Sequence, residues 1–154
     1  MQTSERLQCA TVTQAIDYGQ FYICCAPFLD PMPLLEAALS QPPCAGDGNA
    51  IVVVSPQQWN FQAKFRVEIW SGVPPQDSRD WDQVSLEALN VRTEPGVWLE
   101  SATVDATPLP LAFEEVGYNV EVCGRESNAD WDVESASEPN FEWRLRFWPH
   151  VEGH

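Results

Sequence analysis

Apolar and polar residues alternate with period two along most of this chain, the spacing that places every second side chain of an extended strand on one face. From Ala63 to Trp70 the alternation is clean, with Phe65, Val67 and Ile69 on one face and Lys64, Arg66 and Glu68 on the other. Tyr118, Val120 and Val122 alternate with Asn119 and Glu121, and Phe141, Trp143, Leu145 and Phe147 alternate with Glu142, Arg144 and Arg146. Further strands are predicted around Ile16–Ile23, interrupted at Gly19, and at Val97–Ser101 and Leu109–Phe113. Val84, Leu86 and Ala88 alternate before Leu89 and Val91 shift phase, which predicts a bulge. The β-branched run Ile51-Val52-Val53-Val54 predicts a short strand buried on both faces.

One segment departs from this period. Residues 33–39, Pro-Leu-Leu-Glu-Ala-Ala-Leu, combine helix formers, apolar spacing of three to four and a proline suited to a first turn, with Asp30 as a candidate cap. Gly46-Asp47-Gly48-Asn49 follows as a turn. Thirteen prolines, eleven of them at 27–33, 42–43, 74–75, 95, 108–110 and 139, punctuate the chain, because proline cannot donate to a strand ladder. About eight short strands at near-regular spacing predict an all-β antiparallel sandwich with one short helix. Its 154 residues fit a single domain, with 1–12 and 150–154 expected to be flexible ends.

Charge narrows the range of partners. Eight bases against twenty-three acids give a net charge of −15, which argues against a nucleic-acid or anionic-membrane surface needing clustered Lys and Arg. The acidity is concentrated: residues 77–138 hold fifteen acids and three bases, net −12, whereas residues 1–76 hold six acids and three bases. Mean hydropathy is −0.26, and no apolar run approaches the ~18–20 residues that span a bilayer. The opening residues lack the basic-then-apolar pattern of a secretory leader. Five cysteines, an odd number without a Cys-x-x-Cys, predict free thiols in a reducing cytoplasm.

The acidic block contains two similar tripeptides, Asp80-Trp81-Asp82 and Asp130-Trp131-Asp132. Each admits three readings. Carboxylates flanking an indole can clamp an Arg or Lys of a partner, Asp-x-Asp can offer oxygens to calcium, and a Trp can anchor a loop while its aspartates stay wet. Trp70, Trp98 and Trp148 fall on the polar phase of their strands, where indoles form a platform for sugar rings or a protein unless a loop or the helix covers them. Lys64 and Arg66, with Arg144 and Arg146, make a small basic patch if their strands are neighbours, with cross-strand partners in Glu68 and Glu142.

Catalytic signals are weak. His150 and His154 are the two histidines, and with Glu152 they form a poor metal set in a terminal segment. No serine elbow or phosphate-binding glycine loop is present, so no catalytic residue, metal or cofactor is assigned. A carboxylate-dependent hydrolase needs only the spatial proximity of two acids, which sequence does not reveal.

Several segments carry a resemblance: Tyr18-Gly19-Gln20-Phe21-Tyr22-Ile23, the helix, Ala45-Gly46-Asp47-Gly48-Asn49-Ala50-Ile51, Phe65-Arg66-Val67-Glu68-Ile69 and Val116-Gly117-Tyr118-Asn119-Val120. Over roughly residues 13–125 the chain resembles the bacterial competence nuclease inhibitor (ComJ-like) family. That resemblance implies a small β-sandwich that binds a nuclease in the cytoplasm and carries no catalytic residues. The expectation is therefore an acidic, non-catalytic protein that meets a basic nuclease or toxin through Asp80, Trp81, Asp82, Asp130, Trp131 and Asp132, without direct nucleic-acid or membrane contact. The alternative is a carbohydrate-binding sandwich or a carboxylate-dependent hydrolase using exposed tryptophans.

Overall fold

The structure is a computed structural model and describes residues 4–16, 19–26, 32–54, 61–92, 96–101, 104–126 and 141–150. Among the described residues, ten strands and one α-helix follow in the order β1 (Arg6–Ile16), β2 (Gln20–Cys24), α1 (Met32–Ser40), β3 (Cys44–Gly46), β4 (Ala50–Val54), β5 (Phe61–Trp70), β6 (Gln83–Asn90), β7 (Trp98–Ser101), β8 (Val104–Pro108), β9 (Gly117–Glu126) and β10 (Phe141–Pro149). They form two five-stranded sheets, β1-β5-β10-β9-β6 and β3-β4-β2-β7-β8. The expected sandwich with one short helix is present, and its pairings are antiparallel with one exception. β10 enters the first sheet between β5 and β9 and runs parallel to β5, with Trp143 opposite Phe65 and Arg144 opposite Arg66.

The core lies between the sheets. Phe65, Val67, Ile69, Tyr118, Val120, Val122, Trp143 and Leu145, the inward phase of three adjacent strands, are all buried. Phe21 from the second sheet meets Phe65 and Trp143 edge-on, with centroids 5.0 and 4.9 Å away. Such pairs add about 0.5–1.5 kcal/mol each beyond their burial. The second sheet is also covered on its outer face. Ala38, Leu34 and Leu35 of α1 pack with Tyr22, Cys24, Ala50, Val52 and Trp98, which is why β4 is buried on both sides. Adjacent Cys24 and Cys25 point to opposite faces as strand geometry requires, and both are buried.

Four expectations are corrected. Residues 6–12, expected within a flexible end, form the first part of β1, because β5 offers an antiparallel edge from Arg6 to Ile16 with a register shift between Arg6 and Gln8. No bulge interrupts β6, whose register with β9 runs unbroken from Gln83–Gly124 to Asn90–Gly117; the phase change arises because Val84, Leu86 and Ala88 are apolar yet exposed, whereas Leu89 is buried. The strand expected at 109–113 stops at Pro108, since Pro108 and Pro110 cannot donate to a ladder, although Leu109 and Phe113 still enter the core. His150 is tied to the first sheet, its N–H donating to the Gly117 carbonyl. The predicted turn at 46–49 holds: Gly48 has φ 90°, and Asp47 Oδ1 accepts from the N–H groups of Asn49 and Ala50. Asp30 lies outside the described residues.

Candidate functional site

The end of β5 and the start of β6 are separated by two intervening strands, so residues 71–82 must cross the outer face of β10 and β9. Arg144 and Arg146 point outward from β10, alternating with the core residues Trp143, Leu145 and Phe147. They catch this crossing strap. Arg144 donates to both carboxylate oxygens of Asp77, Nη1 to Oδ2 at 2.5 Å and Nη2 to Oδ1 at 2.7 Å. Arg146 donates to the Pro75 carbonyl at 3.1 Å and to Asp77 Oδ1 at 3.3 Å. Beneath them Glu121 of β9 accepts from Arg146 Nε at 2.7 Å and from Arg144 Nη2 at 3.2 Å. The strap and Glu121 together leave Arg144 8% and Arg146 3% exposed.

Two guanidinium groups can sit this deep because the acids outweigh the cost of removing them from water. Burial works against the Arg144 charge, but the hydrogen bonds to Asp77 and the negative charge of that carboxylate overcome it and hold the group protonated. The Arg144 hydrogen bonds keep the Asp77 carboxyl below its ordinary range. Burial, reinforced by Glu121, pushes the Cys123 thiol up to about 12, so it stays a neutral neighbour.

A groove of about 420 Å³ opens beside the strap. Arg6, Arg66, Arg125, Arg144 and Arg146 line it, with Glu68, Asp77, Glu142 and the indoles of Trp70 and Trp81. Of the expected basic patch, Arg66, Arg144 and Arg146 do meet here, since β5 and β10 are neighbours, while Lys64 does not line the groove; the arginines are paired with acids of the same face. Glu68 pairs with Arg66 at 2.6 Å and lies 3.9 Å from Arg6, while Arg125 pairs with Glu142 at 2.6 Å. Glu68 also accepts from Trp70 Nε1.

The structure places Asp80 and Asp82 on the exposed end of the strap, with Trp81 half-buried between them. The indole does hold cations, but they are its own chain's: the guanidinium carbons of Arg125 and Arg144 lie 4.1 and 4.6 Å from its ring centroid. Arg125 also donates to the Asp80 carbonyl. Asp130, Trp131 and Asp132 lie outside the described residues, as do His154 and Glu152. The tryptophans set aside for a sugar platform are largely taken: Trp98 packs against the cluster under α1, Trp148 is 7% exposed, and Trp70 bonds Glu68. Sequence reasoning missed Asp77, Glu121 and Arg125. The outward phase of β9, Glu121-x-Cys123-x-Arg125, was the one available sign of a polar network opposite Arg144 and Arg146. Among the described residues no cluster of three or more His, Cys, Asp or Glu side chains could hold a metal ion.

These elements define a class: a two-sheet β-sandwich whose first sheet carries a strap on its outer face and whose second sheet carries a helix. Two solved structures share this fold across nearly the whole chain. One is ComJ, inhibitor of the DNA degrading activity of NucA, from Bacillus subtilis, at 14% identity and a TM-score of 0.59, covering 97% of this chain and all of that one. The other, crocagin biosynthetic gene J, is 13% identical with the same TM-score and the same coverage. The resemblance carried by the sequence segments is thus present in the fold and extends beyond residues 13–125. No protein-family model and no curated protein matches the chain.

Proposed function

We propose that this protein is a non-catalytic binding protein of the inhibitor type, and that its partner is a basic, DNA-degrading nuclease. The observation that carries the reading is the end-to-end fold match to ComJ, a nuclease inhibitor. The net charge of −15 supports it, because an acidic surface can take the place of phosphates on a protein built to hold DNA. Asp80 and Asp82, exposed at the end of the strap, contribute to steering the encounter, while Trp81 is engaged by Arg125 and Arg144 and positions them. Five free cysteines fit a reducing cytoplasm as the place where the two proteins meet. No helix among the described residues is long and apolar enough to cross a membrane. Among the described residues, the packing of Trp98 and Trp148 counts against the sugar-binding alternative.

The test is the salt dependence of binding to purified NucA. Raising salt from ~0.1 M to ~1 M shortens the screening length from about 10 Å to about 3 Å. Steered association should then slow by about tenfold or more, with a smaller change in dissociation. Absence of binding at low salt would overturn the reading. Salt-insensitive association would remove its electrostatic basis.

A further inference from the structure

The strap divides the outer face of the first sheet. On one side lies the arginine groove, and on the other a hollow of about 470 Å³ between the strap and β6, where Val73, Val84, Leu86 and Trp148 share the lining with four polar residues, Glu121 among them. We propose that this hollow is the docking surface for the basic partner, an inference that rests on the inhibitor reading above and names its contact face.

Its composition is not what the fold requires. A strand with one face in water normally alternates apolar inward and polar outward. β6 and the residue after it already supply the core through Leu89 and Val91, yet Val84 and Leu86 point outward and are 41% and 60% exposed. Val73, on the strap opposite, is 59% exposed. Three of the seven large hydrophobic side chains exposed among the described residues therefore meet in one concavity. Leaving that much aliphatic surface wet costs free energy that polar residues would avoid, and such patches mark interaction sites.

The surroundings select the occupant. Asp80 and Asp82 are exposed just before β6. At its far end Asn90 pairs with Gly117, which brings exposed Glu114 and Glu115 close. The apolar centre is thus bracketed at both ends of the strand by carboxylates, four in all, that outnumber the exposed Arg79 and Arg92 beside them. A second copy of this chain would bring another −15 against them, whereas a cationic protein offering an aliphatic side chain satisfies both centre and ends. In this arrangement the acids set the association rate, and the apolar centre sets the lifetime of the complex.

The experiment compares the unaltered protein, the double variant Val84→Ser/Leu86→Ser and the control Leu39→Ser on α1, where the side chain is 57% exposed but lies on the other sheet. Each is measured for binding to NucA, for urea unfolding and for mass by sedimentation. The double variant should unfold as the parent does and bind about tenfold or more weakly through faster dissociation, while the control binds normally. If the unaltered protein binds NucA and the double variant binds equally well, the docking surface is wrong and the inhibitor reading stands. If the unaltered protein does not bind, the inhibitor reading falls and takes this partner with it. A parent dimer that the double substitution dissociates would assign the hollow to a second copy and overturn the proposal.

Discussion

Arg144 grips Asp77 with two parallel hydrogen bonds of 2.5 and 2.7 Å, joining positions 67 residues apart in the chain. Planar bidentate pairing is the strongest geometry open to a guanidinium and a carboxylate. It fixes the strap on the sheet, and the strap in turn fixes Trp81 over Arg144 and Arg125 and forms one wall of the hollow beside β6. The shape of the outer face therefore depends on a polar network, while the sandwich beneath depends on apolar packing.

Glu121 is the acid on which both buried arginines converge, so Glu121→Gln should be among the most destabilising polar changes in the protein. Removing one partner of a buried pair costs about 3–5 kcal/mol. Urea unfolding should show a loss of that size with little change in slope. A loss near zero would mean that Asp77 alone satisfies both cations.

Acid should release the strap before it unfolds the sandwich. The Arg144 hydrogen bonds depress the Asp77 carboxyl below its usual value of 3.8. Its stabilisation is therefore complete above that value and is lost as pH falls through the depressed one. Once the pH has fallen below the ordinary carboxyl range, amide exchange in residues 73–82 should rise ahead of exchange in β5 and β10. Asp77→Asn should show fast exchange in the strap already at neutral pH. Equal protection of strap and strands throughout acidification would contradict the pinning role.

Local alternation made the strands readable, because the inward phase of β5, β9 and β10 is set by residues next to one another. What lay between strands was not local. Neither the parallel pairing of Trp143 with Phe65 nor the crossing of the strap follows from any short segment. A cation beside Trp81 is one of three readings that its indole and acidic flanks admit, with the cation then a partner's; that Arg125 and Arg144 of the same chain lie against the ring depends on β9 and β10 lying beneath it. At Val84 and Leu86 the sequence carried a usable signal that pattern rules convert into a bulge: apolar residues on both phases of one strand also describe a wall facing a partner.

Thiol accessibility should be sharply divided. Cys9 is exposed, whereas Cys24, Cys25, Cys44 and Cys123 are buried. Burial raises the Cys44 thiol to about 12, an effect weakened by its hydrogen bond with Ser85, and raises Cys123 to about 12 as well. At neutral pH, mass spectrometry after brief alkylation should find a single modified site, Cys9, with the other four reacting only in denaturant. Rapid labelling of Cys123 in the native protein would show the outer face of β9 to be open.

The core should tolerate shortening and reject charge. Leu145→Ala, at a fully buried position between Val67 and Val122, should cost about 2–5 kcal/mol. Val67→Asp buries a carboxylate with no partner at a cost of several kcal/mol, comparable with the whole stability of about 5–15 kcal/mol, and should yield no folded protein. Circular dichroism and urea unfolding of the two variants separate these outcomes. A cooperative, native-like Val67→Asp protein would contradict the placement of β5 at the centre of the core.

The proposed function, inhibition of a nuclease, is tested most directly by degradation of DNA by NucA in the presence of increasing amounts of this protein. The account predicts that cleavage falls in proportion to the protein added, stops near one molecule per nuclease and recovers in high salt. Undiminished cleavage at low salt with the protein in large excess would contradict it.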